Sequence, residues 1–208
     1  MLTLWGRLTS VNVQRVAWVL AETGLEYARI DTGGAFGGLD DQEYLAMNPN
    51  RRVPTLKDGS LVLWESNAIC RYLVDAYRGP LATAHKARAD MWMEWFQNGP
   101  YAPFIEMFYQ TVRLPAAQRD AAVLQQALDR LHGHFDIAEA ALAKSAYLTG
   151  DTLSLADVPF GTCLYRYFTC DFARGDYPNI KAYYDRLTSR AAYRDTVVVD
   201  YSSLRPPG

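Results

Sequence analysis

Gly79-Pro80 separates two stretches that obey different hydrophobic periods, and this break limits the fold more than any other feature. Before it the period changes repeatedly; beyond it the strand signals cease. Leu2 to Trp5 reads as a short strand closed by Gly6. Val13, Val16, Ala17 and Leu20 fall at i, i+3, i+4 and i+7, one face of a helix that Thr23-Gly24 ends. Glu26 to Asp31 reads as a second strand, followed by a glycine-rich loop from Gly33 to Gly38. Val53 to Lys57 and Leu61 to Trp64 flank Asp58-Gly59-Ser60, a hairpin signature. Ile69, Tyr72, Leu73 and Ala76 mark another helix, stopped by Arg78-Gly79-Pro80. A βαβ unit followed by ββα predicts a four-stranded mixed sheet covered by helices over residues 1–80.

Residues 81–208 predict an all-helical domain. Leu124, Leu128, Leu131, Phe135, Ala138 and Leu142 form a stripe that needs a helix of several turns. Residues 83–98 form a second long amphipathic helix, with shorter ones at 100–113, 154–170, 179–188 and 190–198. The tail from Ser202 to Gly208 is expected to be loosely held. The fold class is therefore α/β followed by all-α.

Composition narrows the function. Half of the 208 residues are hydrophobic and the net charge is −2, so a large core is affordable and a disordered chain is excluded. Residues 1–80 carry 8 basic and 9 acidic side chains, leaving 13 and 14, so neither half offers a basic footprint for nucleic acid or an anionic membrane. Cys70, Cys163 and Cys170 are an odd, widely spaced set, which fits reduced thiols in the cytoplasm better than a disulfide framework. Arg7, Arg15, Glu22 and Glu26 interrupt any apolar leader, so no signal segment or spanning helix is expected. His85, His132 and His134 show no metal-ligand spacing, and no metal is expected.

Four short segments carry chemistry. Pro54 stands at the mouth of a strand. A trans Val53-Pro54 bond would be a plain strand opener, whereas a cis bond would turn the main chain of Val53 outward to pair with a peptide-like ligand. Glu65-Ser66 sits where the hairpin feeds a helix. Ser66 is a good cap, but backbone N–H groups and a hydroxyl at a helix start also seat a carboxylate, and Glu65 offers an acceptor for an ammonium. One turn would then hold both ends of an α-amino acid. Ser10 and Asn12 lie just before and within the first helix, where either caps it or donates to an anion such as a thiolate. Ser154-x-x-Asp157 is a variant capping box, with Leu153 and Val158 as its hydrophobic staple, so Asp157 is expected to be structural. Pro159 removes an N–H beyond it, which predicts a local bend.

Taken together, Leu-Trp-Gly-Arg-x-x-Ser-x-Asn-Val (4–13), Met-Asn-Pro-Asn-Arg-Arg-Val-Pro-Thr-Leu (47–56), Leu-Trp-Glu-Ser-Asn-Ala-Ile (63–69) and Leu-Thr-Gly-Asp-Thr-Leu-Ser-Leu-Ala-Asp-Val (148–158) resemble cytosolic glutathione transferases, most like bacterial and theta-like serine-type members. The resemblance runs in order from residue 2 to about 190. It implies a thioredoxin-like first domain with a cis Val53-Pro54, where Val53 pairs its main chain with glutathione and Glu65 and Ser66 take the γ-glutamyl end. It places Arg52 near the glycine carboxylate, with Arg51 as the neighbouring alternative. Ser10 matches the serine that hydrogen-bonds the thiolate. Asn12 departs from the proline often found at that position and is itself within the candidate set.

A thiol pKa near 8.5 leaves about 3% thiolate at pH 7, and lowering it by roughly two units asks about 2.7 kcal/mol of the site. A hydroxyl bonded to a charged acceptor supplies roughly 1.5–3 kcal/mol of that. No cysteine lies at 5–12, which argues against thiol-exchanging members. The resemblance also implies an electrophile site between the domains, with Tyr101, Phe104, Phe108, Tyr109, Arg113, Tyr165 and Phe168 as candidate walls, and paired identical subunits. The reaction expected is conjugation of glutathione, as co-substrate, to a small electrophile in detoxification. A non-catalytic interaction protein of the same fold, or a glutathione-dependent isomerase or reductase, are the alternatives.

Overall fold

The computed structural model describes residues 1–83 and 85–206. Ala84, inside the expected 83–98 helix, and Pro207 and Gly208, inside the expected loose tail, lie outside the described residues. The chain divides into two compact units: Met1–Ala82 with Ala191–Val199, and Thr83–Arg190 with Asp200–Gly208.

The first unit runs β1 (Leu2–Trp5), α1 (Val11–Thr23), β2 (Tyr27–Ile30), α2 (Gln42–Met47), β3 (Thr55–Asp58), β4 (Leu61–Trp64) and α3 (Ser66–Tyr77). Its sheet has the order β2-β1-β3-β4, with β1 parallel to β2 and antiparallel to β3, and β3 antiparallel to β4. Leu2, Leu4 and Leu56 are buried on the sheet, as alternation requires. Gly24 ends α1 in the left-handed conformation, its N–H turned back to Ala21 and Leu20.

One apolar face was expected on α1, but every residue from Val11 to Leu20 except Asn12 is buried. The cause is α9 (Ala191–Thr196), which belongs to this unit rather than to the helices before it in the chain. Tyr193 meets Trp18 edge-on at 4.9 Å, and Gln14 donates to the Val197 carbonyl at 3.4 Å. A strict boundary at residue 80 is therefore corrected by this returning segment.

The second unit holds α4 (Lys86–Asn98), α5 (Tyr101–Phe108), α6 (Ala121–Leu142), α7 (Asp157–Thr169) and α8 (Pro178–Thr188). After α5 the chain continues through one π turn, Tyr109–Arg113. Five residues of the α6 stripe are buried, and Leu124 at its N-terminal end is half-buried. Phe135 is the hub of an aromatic core, with Tyr167 at 4.6 Å, Tyr177 at 5.4 Å and Phe160 at 5.4 Å.

The start of α7 refines the capping expectation. Asp157 is the first residue of the helix, not the third. Its carboxylate accepts from the Ser154 N–H at 2.9 Å, the Leu148 N–H at 3.0 Å and the Tyr183 hydroxyl at 3.1 Å, while Ser154 Oγ accepts from the Ala156 N–H. Complete burial pushes its pKa up to about 6 against these bonds. The later helix start also removes the reason for a bend. Pro159 falls in the first turn, where its N–H would have no helical partner, and the Leu155 carbonyl accepts from Val158 instead.

Candidate functional site

Strand register gathers the candidate residues at one end of the first unit's sheet. Trp5 pairs with Thr55, and Thr55 with Trp64. The segments that leave or join the sheet beside those three residues contain Ser10, Val53-Pro54 and Glu65-Ser66. The Val53-Pro54 bond is cis. Gly6 lets two of these segments approach each other: a Cβ built there would lie 2.4 Å from a Val13 methyl carbon and 3.2 Å from the Val53 Cβ, and its φ is +146°.

Ser10 is the N-cap of α1, with φ −94° and ψ 122°, yet its side chain makes no capping bond. The backbone alone makes the turn, Ser10 N–H to the Arg7 carbonyl at 3.1 Å and Gln14 N–H to the Ser10 carbonyl at 2.9 Å. Ser10 and Asn12 are both half-buried. A hydroxyl not committed to its own helix, at the positive end of a 13-residue dipole, suits a developing anion.

At the start of α3 the expected cap is displaced by one residue. Glu65, not Ser66, holds the N-cap position, at φ 72° and ψ 111°, and makes no side-chain capping bond. Positive φ is strained for a glutamate, and the residue is exposed. Ser66 begins the helix and is buried.

Three residues that brace these segments, Arg15, Tyr44 and Asn48, were not singled out from the sequence. Arg15 is 1% exposed and donates from one nitrogen, Nη1, to Ser66 Oγ at 3.3 Å and Asn67 Oδ1 at 3.4 Å. Its signal was a charge inside the otherwise apolar run of α1. Tyr44 and Asn48 clamp the other segment. The Tyr44 hydroxyl donates to the Arg52 carbonyl at 2.6 Å, Asn48 Nδ2 donates to the same carbonyl at 2.9 Å, and both side chains reach Thr55 Oγ1. Tyr44, Asn48 and Thr55 are buried, so the main chain on either side of Val53 is fixed from beneath. Arg51 and Arg52 are both exposed, but Arg51 pairs with Asp40 at 3.2 Å. Arg52 is thereby the better placed of the two for a ligand carboxylate.

The aromatic candidates of the second unit divide. Phe104 and Phe108 are 1% and 3% exposed and stack at 6.4 Å, with the Arg166 guanidinium 4.4 Å over Phe108. They are core side chains and present no open wall, which corrects their place in the candidate set. Burial lowers the Arg166 pKa to about 10. Tyr109 is exposed, with the half-buried Arg113 5.4 Å from its ring centre. Tyr101 and Tyr165 are half-buried, Tyr165 against Tyr201 at 5.8 Å. Phe168 stacks on Tyr184 at 4.6 Å and lines a 510 Å³ cavity with Tyr167, Tyr177 and Lys181, within this unit.

Comparison with known proteins identifies the family and the fold. The family described as glutathione S-transferase, N-terminal domain, matches residues 1–75, and glutathione S-transferase, C-terminal domain, matches residues 101–191. Glutathione S-transferase GstB of Escherichia coli K12 is 35% identical, the alignment covering 97% of this chain and 100% of the relative. Among solved structures, a theta-class glutathione S-transferase of Xanthomonas axonopodis pv. citri with glutathione bound is 42% identical, with a TM-score of 0.91 over 96% of this chain and 98% of that one. The maize glutathione S-transferase I in complex with an atrazine glutathione conjugate is 29% identical, with a TM-score of 0.83 over 95% and 96%.

Proposed function

The chain belongs to the glutathione S-transferase family, and on that premise we propose how its own residues use glutathione, the family's co-substrate. The Ser10 hydroxyl donates to the thiolate and holds it ionised at neutral pH. Asn12 flanks the sulfur on the same helical turn. The main chain of Val53, ahead of Pro54, pairs with the cysteinyl residue as an added strand. Ser66 and the first N–H groups of α3 take the γ-glutamyl carboxylate, Glu65 takes its ammonium, and Arg52 meets the glycine carboxylate.

Chemically, the enzyme supplies an ionised nucleophile and its orientation, with no covalent intermediate on the protein. The thiolate attacks a small electrophilic carbon, forming the C–S bond while a halide leaves or an activated alkene takes up the charge. The atrazine conjugate held by the maize structure supports a halide-bearing class. Tyr101, Tyr109, Arg113 and Tyr165 are the partly open side chains offered to that substrate. Pairing into homodimers, a cytoplasmic location and a role in detoxification complete the reading; no helix among the described residues is long and apolar enough to cross a membrane.

One observation carries this reading: the pairing of Trp5 with Thr55, and of Thr55 with Trp64, which brings all three ligand-facing segments to one end of the sheet. The test is a calorimetric titration of glutathione into the protein and into a Glu65→Ala, Ser66→Ala variant. Saturable binding that the variant loses is the expected result; binding unchanged by the variant would place the seat elsewhere.

A further inference from the structure

Arg15 ties α1 to the start of α3 through Ser66 and Asn67, and these two acceptors differ in what they have left to give. Ser66 Oγ has a single hydrogen and two lone pairs. Accepting from Nη1 occupies a lone pair and leaves the O–H to donate outward. Asn67 Oδ1 accepts from the same nitrogen, so its Nδ2 hydrogens are likewise turned to donation. Without Arg15 each group could present either a donor or an acceptor; with it, both become donors beside the first N–H groups of a 12-residue helix. The guanidinium is 1% exposed, so these two bonds are made out of reach of bulk water.

We propose that Arg15 is a positioning residue for the α-carboxylate of the γ-glutamyl group, acting through Ser66 and Asn67. This rests on the γ-glutamyl seat proposed above and deepens it. Arg15 touches no substrate. It converts a serine and an asparagine of undecided polarity into a fixed pair of donors, so that a carboxylate is accepted at the start of α3 and a neutral end group is not. Arginine is suited to this because its planar guanidinium holds its N–H groups in fixed directions, whereas the ammonium of lysine is a rotating point charge on a flexible stem.

The test compares two ligands: glutathione, and the same tripeptide with 4-aminobutanoyl in place of γ-glutamyl, which lacks only the α-carboxylate. Calorimetric dissociation constants are measured for the wild type, Arg15→Gln and Arg15→Lys. Losing oriented donors to a charged group predicts that Arg15→Gln weakens glutathione about tenfold and leaves the analogue unchanged. Arg15→Lys should fall between. The preference for glutathione over the analogue is a ratio in which the folded fraction cancels, so a destabilised variant still reports on it. Equal weakening of both ligands, or a preference retained in Arg15→Gln, would overturn the assignment of Arg15 alone. A wild type with no preference would overturn the γ-glutamyl seat itself, and Arg15 with it.

Discussion

The starts of α6 and α8 in the second unit are finished differently from those of α1 and α3 in the first. In the second unit, α6 is capped by Asp120, whose Oδ1 accepts from the Ala122 and Val123 N–H groups. The turn ahead of α7 is held by the Asp157 carboxylate, which accepts from the Ser154 N–H, and the first N–H groups of α8 are met by Glu139 of α6, which accepts from Asn179 and Ile180 at 2.9 Å each. In the first unit, α1 and α3 begin at Ser10 and Glu65, two residues with capping chemistry that make no side-chain capping bond. A helix closed by its own protein's carboxylate has its positive end satisfied. Those left open can receive a carboxylate or thiolate from outside. Under the proposed function the open starts of α1 and α3 are the binding ends; α2, α4 and α5 also begin without a side-chain capping bond and carry no such role.

The largest test of that contrast falls on Asp157. Replacing it with alanine strands the Leu148 and Ser154 N–H groups and the Tyr183 hydroxyl, and should cost about 3–5 kcal/mol in denaturant unfolding while leaving the glutathione affinity of the folded protein unchanged. Asp157→Asn sharpens the point through pH. The folded pKa of about 6 lies above the value near 3.9 of the unfolded chain, so the folded state holds the proton longer. Stability contributed by this group is present below about pH 4, falls as pH rises to about 6, and is flat beyond, a loss of about 3 kcal/mol. The difference in stability between wild type and Asp157→Asn should follow that slope; a difference independent of pH would contradict it.

Ser10→Ala comes next, with the reverse signature. Loss of a hydroxyl bonded to a thiolate should lower turnover at pH 7 by about 10- to 100-fold. An ordinary cap serine costs about 1 kcal/mol when truncated; here the melting temperature should not move, because no capping bond is lost. Glu65→Gly should separate strain from binding: relief of the positive φ is expected to stabilise the protein by up to about 1 kcal/mol, while glutathione binding in calorimetry weakens. Smallest is Asp120→Ala, a loss of about 1 kcal/mol with no change in glutathione affinity.

Much of this was legible in the chain. The four strands follow from short runs punctuated by glycine, and the hairpin from Asp58-Gly59-Ser60. Four motifs in order were enough to name the family, because each marks a local conformation. Long-range consequences were less legible. The return of α9 to α1 depends on Trp18 finding Tyr193, and no period encodes a partner 175 positions away. The roles of Arg15, Tyr44 and Asn48 were missed for the same reason: an isolated polar residue in an apolar run announces burial, but only packing says which atom it bonds. Phe104 and Phe108 show the converse, since aromatic spacing alone does not distinguish a core from an open wall. The α3 cap shifted from Ser66 to Glu65 because propensity pointed to the serine, whereas the backbone puts the glutamate, at positive φ, ahead of the first helical residue.

The most direct test of the open-helix account is the ionisation of glutathione on the protein, followed by thiolate absorbance against pH in the wild type and in Ser10→Ala. The account predicts a bound thiol pKa about two units below the free value near 8.5, returning toward that value in the variant while glutathione stays bound. A bound thiol that titrates near 8.5 in the wild type, or a low pKa that survives the loss of Ser10, would contradict it.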